Sequence, residues 1–218
     1  MSTDRSTNSH IPGPCTVGLT GGLATGKSTV ARILAARGIP TFDADAAVHA
    51  LYEPGRPGAA MVGELFGREM LDDEGGVVRA ALADRVLGDN DARLRLEGAI
   101  HPLVREAVQA WLLTVADKSV AVVEAALLVE TGTYRLYDVL MVVSCAHQQQ
   151  LDRALARGVP TERAHRLISA QFSMADKRAL ADAVVDNGGS FDDLEREVDR
   201  AWSTVHRLCA ARTTRKKS

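Results

Sequence analysis

The segment Gly21-Gly22-Leu23-Ala24-Thr25-Gly26-Lys27-Ser28 decides the fold that this sequence can adopt. It satisfies the spacing G-x-x-x-x-G-K-[ST] at every specified position. The apolar, β-branched run Cys15–Thr20 before it predicts a buried strand, and the apolar positions between Lys27 and Arg37 predict a helix. A strand, a glycine-rich turn and a helix in this order are typical of a phosphate-binding loop (P-loop).

Each part of this motif has a chemical role at a phosphate. Glycines let the backbone curl tightly enough to direct several N–H groups toward phosphate oxygens, and the amino terminus of the helix adds its positive dipole end. Lys27 can reach the β- and γ-phosphates, and the Ser28 hydroxyl can ligate Mg²⁺. An accidental glycine-rich turn is the alternative, which the flanking strand and helix disfavour. We therefore expect a nucleotide to contact Gly22, Leu23, Ala24, Thr25, Gly26, Lys27, Ser28 and Thr29.

Strands and helices alternate along most of the chain. Continuous apolar runs at Val120–Val123 and Val139–Val143 predict parallel strands covered on both faces, and Ile39–Phe42 and Ala183–Val185 predict shorter ones. This alternation predicts an α/β fold with a doubly wound parallel sheet. The expected divisions are a disordered leader (1–14), a nucleotide-binding core (15–51, 118–145 and 171–210), a helical substrate-binding insertion (52–117), a lid (146–170) and a disordered tail (211–218).

Composition restricts the possible partners. The chain has 218 residues and a formal net charge of −2, which disfavours the broad basic surface of a nucleic-acid binder. No apolar run is long enough to cross a membrane, and the polar amino-terminal segment lacks the apolar region of a secretory signal. The three widely spaced cysteines, Cys15, Cys145 and Cys209, favour a reducing compartment and buried free thiols. These features predict a cytoplasmic protein. Its expected state is a monomer or a small homo-oligomer, which these features do not distinguish.

The groups around the γ-phosphate distinguish the classes of P-loop protein. A signalling GTPase needs Asn-Lys-x-Asp to read guanine, and this tetrapeptide is absent. A kinase needs a carboxylate that orients the acceptor hydroxyl and accepts its proton. Asp43 and Asp45 follow the second predicted strand at its carboxyl end, where ligands bind in open α/β sheets. We expect Asp45 to face the substrate and Asp43 to have a structural or metal-orienting role; capping of the next helix is the alternative for such a pair.

Further charged residues are candidates near the phosphates. Glu124 ends the third strand, where a carboxylate can hold Mg²⁺ through water, whereas Glu130 is interpreted as a solvated helix residue. Arg153 and Arg157 lie four residues apart on one predicted helix, so they share a face. Arginines on a lid can close over ATP and neutralise charge in the transition state. Arg163, on the following helix, is interpreted as surface charge.

Residues 15–208 resemble the dephospho-coenzyme A kinases, with the motifs in the same order. Val17-Gly18-Leu19-Thr20-Gly21-Gly22 running into Gly26-Lys27-Ser28-Thr29 resembles the opening of that family, and Asp43-Ala44-Asp45 is similar to its DAD motif. Other stretches resemble its coenzyme A-binding helices, its lid and its final strand: Arg79-Ala80-Ala81-Leu82, Ile100-His101-Pro102-Leu103-Val104-Arg105, Gln150-Leu151-Asp152-Arg153 with Arg157, Arg166 and Gln171, and Ala181-Asp182 with Asp186-Asn187-Gly188.

This resemblance implies a reaction and a set of site residues. The reaction is the transfer of the γ-phosphoryl group of ATP to the ribose 3′-hydroxyl of dephospho-coenzyme A, with Mg²⁺, as the last step of coenzyme A synthesis. The implied base is Asp45, and Lys27 and Arg153 stabilise the transferring group. The other implied contacts are Arg157 and Asn187 with ATP, His49, Arg79, His101 and Arg105 with the substrate, and Ser28 and Glu124 with the metal.

The chain departs from the family pattern at two places. Glu124-Ala125-Ala126-Leu127-Leu128 stands where the family usually has Asp-Val-Pro-Leu-Leu, and His49 stands where many members have arginine. Two other functions are compatible with the P-loop: a kinase for another small metabolite or a nucleoside monophosphate, and a non-catalytic nucleotide-binding regulator. Asp45 argues against the regulator, because a pure sensor has no need of an acceptor-side base.

Overall fold

The P-loop follows the central strand of a parallel sheet, at the carboxyl ends of the strands. The computed structural model describes residues 13–215, and within them five strands form one all-parallel sheet with the order β2-β3-β1-β4-β5. The strands are β1 Cys15–Gly21, β2 Thr41–Asp43, β3 Val120–Glu124, β4 Val139–Ser144 and β5 Ala183–Asp186. The predicted doubly wound α/β fold is confirmed.

Helices follow most of the strands and form the segment between β2 and β3. They are α1 Lys27–Ala36, α2 Ala44–Leu51, α3 Pro57–Phe66, α4 Arg79–Val86, α5 Asn90–Thr114, α6 His147–Ala156, α7 Thr161–Ser169, α8 Met174–Leu180 and α9 Phe191–Arg215. Two single-turn 3₁₀ helices lie at Arg68–Met70 and Thr133–Leu136. Among the helices of residues 13–215, none has both the length and the apolar character needed to cross a membrane.

Apolar side chains cover both faces of the central strand β1, with Leu128 and Tyr137 beside Gly18 on one face and the side chains of Val17 and Leu19 on the other. Val17 and Leu19 are fully buried, and Val17 pairs in register with Val122 of β3 and Val139 of β4. Helices α1 and α9 pack against one face, so the β-branched runs that favour a pleated backbone are shielded from water. The same register places Leu19 beside Glu124, so β1 runs into the P-loop where β3 ends in a carboxylate.

Contacts divide the described chain into two units. The first contains the sheet and comprises the described residues up to Phe42 and from Val115, and the second is helical and comprises Asp43–Thr114. In the helical unit α2, α3 and α4 pack against α5. The predicted core included residues 43–51, whereas the structure groups α2 with the helical unit because α2 packs on α5. The other predicted domain divisions stay predictions.

Two aspartates stabilise the sheet at the amino-terminal ends of its strands. Asp138 precedes β4, and its Oδ2 accepts a hydrogen bond from the backbone N–H of Thr16 at 2.9 Å, while its Oδ1 lies 2.7 Å from Arg212 on α9. Asp182 precedes β5, and its Oδ2 accepts a hydrogen bond from the N–H of Leu140 at 2.8 Å. Each carboxylate satisfies a backbone donor of the neighbouring strand, which stabilises the observed strand pairing.

Cys15 and Cys209 form a disulfide, with their Cα atoms 5.7 Å apart. The prediction of three free thiols is therefore wrong for these two residues, and Cys145 alone among the described cysteines is free and buried. Cys15 is the first residue of β1. Helix α9 packs along the sheet, and this packing places Cys209 beside Cys15. Cysteine spacing does not reveal this proximity, because the two residues are 194 positions apart in the chain.

The last helix extends beyond its predicted end. The predicted disordered tail begins at residue 211, but α9 continues through Arg215, so the prediction is wrong for 211–215. Ala210, Ala211 and Arg212 are strong helix formers, and Arg212 also pairs with Asp138. Residues 1–12 of the predicted leader and 216–218 of the predicted tail lie outside the described residues.

Asp138→Ala should lower the free energy of unfolding by about 1–3 kcal/mol, because the N–H of Thr16 loses its acceptor. Urea unfolding followed by circular dichroism measures this change. Asp117→Ala is the matched control: Asp117 is exposed and pairs with Lys118 at the surface, so its replacement should change stability by less than about 0.5 kcal/mol. Equal losses in the two variants would contradict the role of Asp138 at the sheet edge.

Candidate active site

The P-loop backbone requires glycine at one position. Gly26 has a φ of 95°, and a β-carbon on it would lie only 2.1 Å from Nδ2 of Asn187. This Nδ2 donates a hydrogen bond to the carbonyl oxygen of Thr25 at 2.7 Å, and Oγ1 of Thr25 donates to the carbonyl of Gly22 at 3.0 Å. Carbonyl oxygens of the loop thus have partners within the protein, which stabilises the curl of the backbone.

One carboxylate oxygen of Glu124 contacts two side chains of the P-loop. Oε1 of Glu124 lies 2.8 Å from Nζ of Lys27 and 2.6 Å from Oγ of Ser28. Glu124 is 3% exposed, and the ammonium and the hydroxyl compensate the loss of water around its carboxylate. The structure therefore brings together the two residues predicted to serve the metal and the lysine predicted to serve the phosphates.

The oxygens of Ser28 and Glu124 are suitable ligands for a hard cation. Within residues 13–215, no group of three or more His, Cys, Asp and Glu side chains is arranged to hold a metal ion by itself. Mg²⁺ does not need such a cage, because it keeps several waters and binds through one or two protein oxygens together with substrate phosphates. Ser28 and Glu124, with oxygens 2.6 Å apart beside the P-loop, fit this ligand chemistry.

Two glutamines form hydrogen bonds with the backbone of Leu23 in the P-loop. Oε1 of Gln171 accepts a hydrogen bond from the Leu23 N–H at 2.8 Å, and Nε2 of Gln150 donates to the Leu23 carbonyl at 3.0 Å. Gln150 lies on α6 and Gln171 follows α7, so the predicted lid segment and the residue after it contact the loop directly. Small buried side chains allow this close approach: Ala24, Ala154 and Ala164.

A cavity of about 260 Å³ lies beside the P-loop, bordered by residues of α1, α6 and the β5–α9 connection. Arg153 and Arg157 both line it, as their shared helix face predicts, together with Asn187 and Phe191. Nη2 of Arg153 donates to the carbonyl oxygen of Asn187 at 2.9 Å, whereas its Nη1 is buried without a hydrogen-bond partner among the described residues. A buried guanidinium donor beside a phosphate-binding loop suits an anionic ligand. Arg163 is exposed on α7.

Sequence reasoning missed a buried ion pair beneath the loop. Nζ of Lys177, on α8, lies 2.7 Å from Oε1 of Glu130, and the Lys177 side chain is completely buried. The interpretation of Glu130 as a solvated helix residue is therefore wrong, because its side chain is only 6% exposed. No local signal identifies Lys177, since the neighbouring Arg178 on the same short helix is exposed.

The remaining predicted site residues lie in the helical unit. Asp43 caps α2, since its Oδ1 accepts a hydrogen bond from the Ala46 N–H at 2.9 Å, so the capping alternative applies to this member of the pair. Asp45 lies in the first turn of the same helix and is half-buried. The predicted substrate residues lie on three helices: His49 on α2, Arg79 at the start of α4, and His101 and Arg105 one turn apart on α5.

Burial controls the charge of His101. Its pKa lies below the ordinary histidine value, chiefly because burial disfavours the charged ring; the Glu97 carboxylate opposes this shift and the Arg105 guanidinium adds to it. At pH 7 the imidazole is therefore mainly neutral, with one N–H donor and one acceptor nitrogen.

Known proteins resemble this chain over most of its length. The sequence profile described as dephospho-CoA kinase matches residues 15–193. The dephospho-CoA kinase of Methylococcus capsulatus is 43% identical over 196 residues (89% of this chain and 98% of that protein), and that of Frankia casuarinae is 42% identical over 190 residues (87% and 83%). The crystal structure of TT1252 from Thermus thermophilus aligns with a TM-score of 0.76 at 30% identity, covering 88% of this chain and 97% of that one.

Asn187→Ala should weaken nucleotide binding about tenfold, because the carbonyl of Thr25 loses a buried hydrogen bond and the P-loop loses its support at Gly26. Isothermal titration with ATP measures the dissociation constant. Gln148→Ala on α6 is the control: Gln148 is exposed, and its Nε2 donates a hydrogen bond to Oδ1 of Asp152 one turn further along the helix, so nucleotide binding should be unchanged. Unchanged binding in Asn187→Ala would show that the loop holds its shape without this amide.

Proposed function

The chain belongs to the dephospho-CoA kinase family, and we propose that it transfers the γ-phosphoryl group of ATP to the ribose 3′-hydroxyl of dephospho-CoA, giving CoA and ADP. It is an ATP-dependent kinase that acts on a small molecule. The structural observation that carries the proposal is the complete P-loop whose Lys27 and Ser28 meet at the carboxylate of Glu124. Phosphoryl transfer requires positioning and charge neutralisation, which these groups supply.

ATP contacts the P-loop and the adjoining cavity in this proposal. The triphosphate lies along Gly22–Thr29, where backbone N–H groups and the amino terminus of α1 favour negative charge. The adenine enters the cavity beside Asn187, where the exposed ring of Phe191 offers an apolar surface for stacking. Arg157 borders the same cavity and can cover the base with its guanidinium.

Ser28 and Glu124 would hold Mg²⁺, because their oxygens lie 2.6 Å apart beside the P-loop and suit this cation. When bound, the ion neutralises charge on the β- and γ-phosphates and orients them. Glu124 is one methylene longer than the aspartate usual in the family, and in this chain its Oε1 reaches both Lys27 and Ser28. The extra length is therefore compatible with a ligand position next to the loop.

Lys27 and Arg153 stabilise the transferring phosphoryl group. The Lys27 ammonium is already held at the phosphate end of the loop by Glu124, so little reorganisation is needed when the nucleotide binds. Nη1 of Arg153 is buried without a partner among the described residues, and a phosphate oxygen would satisfy it. Both groups act most strongly where negative charge develops during transfer.

Asp45 is the proposed base that orients the 3′-hydroxyl and accepts its proton. Two observations support this role: Asp45 lies two residues after the end of β2, and Asp43, which caps α2, accounts for the helix-capping alternative. The proposed contacts of dephospho-CoA in the helical unit are His49, Arg79, His101 and Arg105. Mainly neutral His101 contributes hydrogen bonds, and the two arginines contribute charge for the phosphates of the substrate. A cytoplasmic location and a monomeric or small homo-oligomeric state stay predictions.

An acceptor panel tests the proposed function. The wild-type protein is incubated with ATP, Mg²⁺ and either dephospho-CoA, a nucleoside monophosphate or shikimate, and ADP release and product mass are measured. We expect turnover with dephospho-CoA and a product heavier by one phosphoryl group. Lys27→Ala is the negative control, with turnover reduced at least about a hundredfold. Turnover with a nucleoside monophosphate but not with dephospho-CoA would refute the assignment, and tight ATP binding without any turnover would favour a regulator.

Asp45→Asn should lower kcat by about a hundredfold or more, because the amide keeps the shape of the carboxylate but cannot accept the proton. Substrate binding, measured by calorimetry, should stay near the wild-type value while single-turnover kinetics report the loss. Asp43→Asn is the matched control and should reduce kcat far less, since asparagine also caps helices. A loss of affinity at an unchanged chemical rate would make Asp45 a binding residue instead of the base.

Arg153→Ala should lower kcat more than it raises KM for ATP, because its guanidinium acts mainly on charge that develops in the transition state. Arg163→Ala is the control on the neighbouring helix and should leave both constants unchanged, since Arg163 is exposed. Steady-state kinetics over a range of ATP concentrations separate the two effects. Equal losses in the two variants would mean that α7 also faces the nucleotide.

A further inference from the structure

The buried pair of Lys177 and Glu130 joins three segments around the start of the P-loop. Besides its 2.7 Å contact with Glu130, Nζ of Lys177 donates to the carbonyl oxygens of Gly21 at 3.4 Å and Ala126 at 3.3 Å. Oε1 of Glu130 also accepts a hydrogen bond from the N–H of Phe172 at 3.1 Å. The pair therefore links the end of β1, the turn after β3 and the segment that leads into α8.

The contact with Gly21 bears directly on the phosphate cradle. A peptide unit is planar, so the N–H of Gly22 points opposite to the carbonyl of Gly21 in the same unit. A donor that holds this carbonyl on the buried side thereby fixes the direction of the first N–H of the cradle. Nζ of Lys177 is such a donor, placed at the glycine where β1 leaves the sheet.

The contact with Ala126 fixes the turn that follows Glu124. The Ala126 carbonyl also accepts a hydrogen bond from the buried hydroxyl of Thr20 at 3.1 Å, so it receives two donors beneath the loop. Glu124 lies only two residues before this carbonyl, and its Oε1 contacts Lys27 and Ser28. Lys177 thus acts on both sides of the site, at the loop and at the turn that follows its carboxylate.

Stability alone is a weak explanation for this pair. Removing two charges from water is unfavourable, and a buried ion pair often contributes no more than apolar side chains of the same volume. Oε2 of Glu130 has no hydrogen-bond partner among the described residues, so the hydrogen-bonding capacity of the buried carboxylate is only partly used. A group retained under these conditions is better explained by the geometry that it imposes on its neighbours.

We propose that Lys177 is a positioning residue for phosphoryl transfer, which orients the P-loop through the Gly21 carbonyl and the Glu124 turn through the Ala126 carbonyl. Glu130 holds the ammonium between these two acceptors. The proposal rests on the P-loop as the ATP site. It predicts a defect in ATP binding and in kcat, with the KM for dephospho-CoA unchanged, because Lys177 contacts Gly21, Ala126 and Glu130, whereas the residues proposed to bind that substrate belong to the helical unit.

Two variants separate positioning from stability. Lys177→Met keeps the length of the side chain but leaves the Glu130 carboxylate buried without its cation, so it should lower both the thermal midpoint and ATP affinity. Lys177→Met combined with Glu130→Gln removes both charges and keeps an oxygen for the N–H of Phe172, so most of the thermal midpoint should return. Arg178→Met is the matched control, since Arg178 is the next residue on α8 and is exposed.

Calorimetric titration with ATP and Mg²⁺, steady-state kinetics and thermal unfolding are measured on all three variants and on the wild type. We expect the double variant to keep an ATP dissociation constant at least about tenfold above wild type despite its recovered midpoint, because both carbonyls still lack the Lys177 ammonium and Ala126 keeps only the hydroxyl of Thr20. Recovery of ATP affinity together with stability would overturn the proposal, as would a double variant that does not fold or a Lys177→Met protein with normal binding. Failure of the wild type to bind ATP would instead refute the proposed function.

Discussion

The site depends on the shared contact of Lys27 and Ser28 with one oxygen of Glu124. Lys27 and Ser28 begin the helix after β1, whereas Glu124 ends β3, almost a hundred residues later in the chain. They meet because β1 and β3 are parallel neighbours and their register sets Leu19 beside Glu124. A buried carboxylate without these partners would be strongly unfavourable, so the strand pairing and the three side chains require one another.

The remainder of the P-loop is supported mainly through its backbone. Side chains from four other segments hold its peptide groups: Gln150, Gln171, Lys177 and Asn187. These contacts compensate a loop that includes Ala24 at a φ of 56°, a left-handed conformation that is unfavourable for alanine by roughly 1 kcal/mol. The buried packing of Ala24 against Ala154 and Ala164 helps to retain it. A fixed cradle needs little reorganisation when phosphate binds, which favours transition-state stabilisation.

Local patterns in the sequence predict the elements of the site better than the contacts between them. The P-loop spacing, the buried strands and the Asp43-Ala44-Asp45 segment each depend on neighbouring residues, so they are visible in the chain itself. The Cys15–Cys209 disulfide and the Lys177–Glu130 pair depend on where β1, α8 and α9 pack, and nothing in their surrounding sequence signals that proximity. The helical state of residues 211–215 depends partly on a local signal, the helix propensity of Ala210, Ala211 and Arg212, and partly on the long-range contact of Arg212 with Asp138.

The shared contact of Lys27 and Ser28 with Glu124 is tested most directly by a single-turnover experiment. Transfer of the γ-³²P label of ATP to dephospho-CoA is measured at saturating Mg²⁺ for the wild-type protein and for Glu124→Ala. The wild type should label dephospho-CoA at its 3′-oxygen, and Glu124→Ala should transfer the label at least about a hundredfold more slowly, because Lys27 and Ser28 lose the group that orients them. Transfer at the wild-type rate by Glu124→Ala, or no labelling of dephospho-CoA by the wild type, would contradict this account of the site.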